Sequence, residues 1–220
     1  MLRTGPDAGA VWEDWHHPQN RVRVIRLGMV RRPRGYVGKN HQTIGSDILA
    51  VRVALQALTN SPAHMERILG PQACEMLEKV RPSEFYPIEI LLSMMDSLER
   101  HLGRAGLVKM GRTLFLLSHA ERLREVARTG RDVAYGIDGM YHHANRGLQI
   151  GGWRVVLFDS KQAILEKNTP HHCWMEEGIL AQALTTVGCP SSVSQPACFR
   201  EGAPLCRFVI TPAPFENNWG

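Results

Sequence analysis

A chain of 220 residues, 44% hydrophobic and 21% charged, buries a core without disulfide staples, and its composition excludes collagenous, disordered and disulfide-rich classes. No run of about 18 apolar residues excludes a spanning helix by sequence, and the N-terminus lacks the apolar segment of a secretory signal, so a cytoplasmic location is expected. The net charge of +5 lies entirely in residues 1–40, which hold eight Lys/Arg against three Asp/Glu, leaving 18 of each in the remainder; a basic arm is a weaker basis for nucleic-acid binding than a basic domain.

Residues 1–45 read as a basic N-terminal extension. Trp12, Trp15 and His16-His17 show no periodicity, and Arg21 to Gly35 alternates basic and apolar residues as an exposed strand does, suited to packing against a second subunit. From Ser46 the chain turns helical. Ser46-Asp47 cap a helix running to Thr59, a short helix follows over 63–69, and Pro71 starts another reaching Val80. Ile88, Leu91, Leu92, Met95, Leu98 and Leu102 share one face of a helix closed by Gly103; further helices span 105–117 and 119–127, and a last one runs from Ile137 to Ala144.

The period then changes. Trp153–Phe158 and Ala163–Lys167 form a predicted hairpin, 174–187 an amphipathic helix, and 191–197 and 206–211 two more strands. Helices followed by a small antiparallel sheet with a crossing helix make an α+β fold, occupying residues 46–212 ahead of a tail over 213–220.

Five cysteines in a reducing compartment point to metal-bound or reduced thiols. Cys173, Cys198 and Cys206 have the pattern C-x24-C-x7-C, and soft thiolates favour zinc; the fourth donor is open among His171, His172 and Cys189. The adjacent pairs His16-His17, His142-His143 and His171-His172 cannot each chelate one ion alone, since neighbours on a helix point about 100° apart, but pairs from different segments, with Glu176 or Glu177, would make an open catalytic metal centre. No nucleophile elbow, dinucleotide fingerprint or phosphate loop is legible, so an enzyme reading rests on a metal or cofactor.

The segments WRVVLF, AILEKNTPHHCWMEEGILAQAL and VSQPACFREGAPLCRFVI resemble the 4-vinyl reductase domain and its relatives in the haem-nitric-oxide-binding, aromatic-sensor and transport-complex subunit superfamily. The shared positions are Asn168, Cys173, Gly178, Cys198, Gly202, Cys206 and Phe208, within a match over about residues 85–211. The resemblance implies a helical bundle packed on the sheet around a small-molecule pocket, and a sensor that signals through a partner protein, with the N-terminal arm making a homodimer. It also implies zinc on Cys173, Cys198 and Cys206; where the relatives place a glutamate as fourth ligand this chain has Gln195, so His172 is the substitute donor. In the aromatic sensors a tryptophan and a histidine contact a phenol; here Trp153 and His119 stand in for them, with Tyr141, His142 and His143 where the cavity closes. In the haem branch a helix histidine and a Y-x-S-x-R clamp hold the group. Those positions are Tyr141 and Lys167-Asn168-Thr169-Pro170-His171, and a haem reading would use His142 or His143 as iron ligand, with Cys189-Pro190 as a haem-responsive dipeptide. The domain's name also allows an enzyme acting on a tetrapyrrole.

Overall fold

The computed structural model describes residues 40–59, 61–214 and 217–220. The N-terminal tryptophans, His16-His17, the basic strand and any dimer contact of the arm lie outside the described residues. Among the described residues, no helix is long and apolar enough to cross a membrane.

Among the described residues, seven helices and two sheets alternate as an α+β fold. Strand β1 (Gln42–Ile44) runs straight into helix α1 (Gly45–Thr59), followed by α2 (Pro62–Leu69), α3 (Pro71–Lys79), β2 (Phe85–Pro87) and the long α4 (Ile88–Ser118). Gly103 breaks α4 with φ +60° and ψ −171°, a conformation that only glycine adopts at low cost, so the two helices expected on either side of it meet at a kink. Helices α5 (Ala120–Val126) and α6 (Gly130–Ala144) lead through β3 (Asn145–Arg146) to β4 (Trp153–Phe158) and β5 (Ala163–Lys167). Helix α7 (Cys173–Thr186), β6 (Ser191–Ala197), a 3₁₀ turn (Phe199–Glu201) and β7 (Cys206–Pro212) complete the order.

Strand β1 pairs with β2 and β3 in a small sheet, drawing residues 42–44 of the expected extension into the fold. The main sheet is antiparallel, ordered β4-β5-β7-β6. Helix α6 starts at Gly130 rather than near Ile137 because Thr129 and Asp132 form a capping box: Asp132 N donates to Thr129 Oγ1 at 3.1 Å and Thr129 N to Asp132 Oδ2 at 3.0 Å. Trp219 stacks on Phe158 with centroids 4.7 Å apart and donates from Nε1 to Asp159 O at 2.6 Å.

Helices α4 and α7 cross with their backbones in contact. A Cβ on Gly178 would stand 2.1 Å from Val108 O, and one on Gly111 would stand 2.0 Å from Met175 O, so neither position accepts a side chain. Two hydrophobic clusters sit on either side of this crossing. One is built on the sheet, α6 and α7 around Leu165, Leu180 and Phe208; the other joins α1 to α4 around Val51, Leu98 and Met110.

Two rows of side chains cross the sheet at adjacent positions of β5. On the outer face Arg154, Glu166 and Arg207 are register partners on β4, β5 and β7. Burial alone would raise the Glu166 carboxyl, but hydrogen bonds from Arg207 and Arg154 outweigh it and hold the carboxyl below its ordinary range. That depression contributes stability present above the unfolded-state value and lost as pH falls through the folded one. Glu166→Gln is therefore expected to lower unfolding free energy at pH 7 by about 1–2 kcal/mol, discounted because both arginines are half exposed. Urea titrations should show the gap between variant and parent closing as the pH is lowered through about 4.

Candidate functional site

The inner row is Trp153, Lys167 and Cys206, again register partners across β4, β5 and β7. Its centre is a lysine with no exposed surface. Lys167 is tolerated because its ammonium pairs with Glu176 on α7, donates to His171 O at 2.8 Å and stands 5.6 Å from the Trp153 ring centroid. Glu176, itself buried, also accepts from Thr169 Oγ1 at 3.2 Å.

At the Cys206 end of the row three thiols converge. Cys173 opens α7, Cys198 follows β6 and Cys206 opens β7, and all three are buried. The Cys173 and Cys206 sulfurs are 3.2 Å apart, those of Cys198 and Cys173 3.7 Å, and all three lie within 4.8 Å of one another. A tetrahedral ion about 2.3 Å from each sulfur sets such separations near about 3.8 Å. Among the described residues, no other cluster of His, Cys, Asp and Glu converges this way. The Cys198 and Cys206 thiols donate to the Cys173 sulfur and hold its thiol far below the ordinary range, while each of them is pushed far above it, first by that bond to Cys173 and then by burial. A bound cation among the sulfurs would favour the ionised form of all three. Cys206 also accepts the Phe199 N–H at 3.2 Å. Cys189 is buried elsewhere, beside Ser191 and under Gly130.

His172, the expected substitute ligand, caps α7: its Nδ1 accepts Trp174 N at 3.3 Å, and its Nε2 lies 3.4 Å from Glu99 Oε2 on α4. Burial and then the Arg200 charge lower it to about 4, against the pull of Glu99, so the ring is neutral. Arg200, in the turn between Cys198 and Cys206, also pairs with Glu99. Glu99 thereby joins the thiol knuckle to α4, a contact that no local pattern announces, since it links positions about a hundred residues apart.

The other expected residues spread over two further places. Trp153 and Tyr141 belong to the inner wall between α6 and the sheet: the Trp153 ring tilts against Phe208 at 5.3 Å, and the buried Tyr141 hydroxyl donates to Ile150 O at 2.9 Å. His142 lies beside them on the exposed side of α6, its Nε2 3.5 Å from Asp138 Oδ1, and Asp138 also accepts Trp153 N at 2.7 Å. His171 meets Tyr141 edge-on at 5.4 Å, and its Nε2 is buried without a hydrogen-bond partner; burial and then Lys167 lower it to about 3. His119 sits apart, at the end of α4, with its Nε2 3.8 Å from Asp47 Oδ1. Burial raises the Asp47 carboxyl, and His119 and His143 oppose that rise. His119 thus faces Asp47, and His143 is near enough to bear on the same carboxyl. Glu177 pairs with Arg104 at 3.0 Å.

No family model and no curated protein matches the chain. Solved structures do. The Fe(II) unliganded H-NOX protein from K. algicida overlays with a TM-score of 0.59 at 9% identity, over 77% of this chain and 96% of that one. The H-NOX protein from S. oneidensis in the Fe(II)NO ligation state gives a TM-score of 0.57 at 18% identity, over 77% of this chain and 99% of that one. The chain has the H-NOX fold. At such identities the likeness is one of architecture, and what is bound must be argued from the side chains.

Iron ligation in the H-NOX structures raises haem as a test of this chain's own residues. The buried side chains of α6 are Val133, Ala134, Ile137 and Tyr141, with no histidine among them, and His142 and His143 are exposed. The Tyr141 hydroxyl is committed to Ile150 O, and Lys167, at the first clamp position, is turned into its ion pair with Glu176. At these positions the chain departs from the haem branch's ligand set, and His142 or His143 would have to hold the iron.

Proposed function

We propose that this chain is a small-molecule-binding module of the sensor type, in which a zinc ion on Cys173, Cys198 and Cys206 is structural. The observation that carries the reading is the convergence of three buried sulfurs from three separate segments on one point. An ion there ties the start of α7 to β7 and to the end of β6, and so holds the helix against the sheet. Trp153 and Tyr141 line the side of the sheet where an apolar or aromatic ligand would lie, with His171, whose Nε2 has no hydrogen-bond partner, as the polar group that would orient it. His119 and His143, beside Asp47, are proposed as further ligand contacts. A homodimer through the N-terminal arm and a signalling partner complete the proposal.

The catalytic alternative places a metal with a water ligand near His142, His143 or His171, or a bound chromophore. His142 and His171 both meet the Tyr141 ring, at 5.2 and 5.4 Å, and His143 bears on Asp47, but among the described residues only the three cysteines bring their ligand atoms together, which favours the binding module. Elemental analysis and an absorption spectrum of the purified chain test the choice. The expected result is about one zinc per chain with no Soret band; iron, or a Soret band, overturns it.

A further inference from the structure

Next to the Arg154, Glu166 and Arg207 row, the outer face of the main sheet carries an apolar one. Leu157, Ile164 and Val209 are register partners on β4, β5 and β7. Leu157 keeps 37% of its surface and Val156 beside it 51%, while Ile164 and Val209 are half-buried. Their inward-facing neighbours Leu165, Phe208 and Ile210 are fully covered. The outer row belongs to neither hydrophobic cluster of the chain, so its apolar surface is left over from folding. The charged row is unfinished too. Arg154 and Arg207 each give Nε and Nη2 to Glu166, one to Oε2 and the other to Oε1, which occupies both carboxylate oxygens. A guanidinium carries five N–H donors, so most of each fork still points elsewhere. Two arginines against one carboxylate leave an excess of positive charge, on forks separated by two strand spacings, about 10 Å.

Both edges of this sheet resist strand addition. On β4, Val155 faces Leu165 and Leu157 faces Ile164, so Val156 is the extra residue of a bulge; on β6 the register shifts between Ser194 and Ala197, and Pro196 between them has no N–H to offer. A partner therefore meets the face and not the edge. We propose that this outer face docks an acidic, amphipathic segment of a partner protein, whose apolar side chains cover Leu157, Ile164 and Val209 and whose carboxylates take the open N–H groups of Arg154 and Arg207. Charge selects the occupant. The N-terminal arm carries the chain's whole net charge of +5 and is repelled by the arginine row, and a second copy would bring the same positive excess. Arginine beside apolar side chains is also the composition enriched where proteins bury surface against one another. That this partner is the one a sensor signals through rests on the proposed function, which zinc content tests separately.

The test uses the full chain and two fluorophore-labelled helical peptides with one leucine and alanine frame, the first carrying glutamate at its polar positions and the second lysine. Fluorescence anisotropy should show the glutamate peptide binding about tenfold tighter than the lysine peptide, and weakening as salt is raised. Leu157→Ser and Val209→Ser, at partly exposed positions, should each weaken it about tenfold with an unchanged thermal midpoint. Arg154→Gln should erase the preference for glutamate. Equal binding of the two peptides, binding of neither, or Leu157→Ser and Val209→Ser proteins that bind as the parent does overturns the docking surface; in the last case the peptide sits on the basic arm. A parent dimer that Leu157→Ser dissociates in sedimentation, or phosphatidylglycerol vesicles bound through these residues in place of the peptide, overturns it as well. Stoichiometric zinc without peptide binding sinks the surface alone, whereas peptide binding without zinc sinks only the metal reading.

Discussion

Replacing Cys206 by serine is expected to empty the thiol site and to lower unfolding free energy by about 4 kcal/mol or more, the class of loss that follows removal of a bound metal. Cys206 is the residue through which the site is joined to the sheet: it is the register partner of Lys167, its sulfur touches that of Cys173, and it accepts the Phe199 N–H of the intervening turn. A serine oxygen is smaller and harder, and its proton is not surrendered at neutral pH, so two thiolates remain and zinc affinity collapses. Zinc content and thermal midpoint should fall together. Treating the parent with a chelator should lower its midpoint toward that of the variant, and added zinc should raise the parent's midpoint alone. Unchanged zinc in Cys206→Ser would remove this cysteine from the site.

The second large effect is expected at Lys167. Changing it to methionine leaves Glu176 buried with no counter-charge, a loss of about 3–5 kcal/mol, whereas Lys167→Met combined with Glu176→Leu should recover most of it. The pairwise coupling is read from urea denaturation of the two single variants and the double variant. A single Lys167 variant that loses less than about 1 kcal/mol would mean that the pair is hydrated and contributes as a surface ion pair does.

The strands and helices that frame the thiol site were legible because their signals are local. Alternation in Trp153–Phe158 and Ala163–Lys167, and the turn residues between them, define the hairpin directly, and the observed spans agree with those expected. The cysteine triplet was legible as a set because thiols are rare and chemically specific. Two kinds of feature were not. β1 and β2 are three residues each, too short to show a period, and they exist because each is the other's partner. The start of α6 lay in Thr129 and Asp132, a readable capping box masked by the weak apolar pattern of its first two turns. The reach of Arg200 and His172 to Glu99, and of His119 to Asp47, depends on how α4 lies against its neighbours, which no window of sequence contains. The departure of Gln195 from its relatives' glutamate was visible in sequence, but the irregular pairing of β6 with β7 around it was not.

The contact of Gly111 with Met175 and of Gly178 with Val108 brings the backbones of α4 and α7 together at their crossing, with side chains packed on either side of it. Such a junction behaves as a fulcrum. A displacement of the Cys173 end of α7 would be taken up by tilting about that point, so that the opposite end, near Thr186, swings the other way and the long helix serves as the fixed beam.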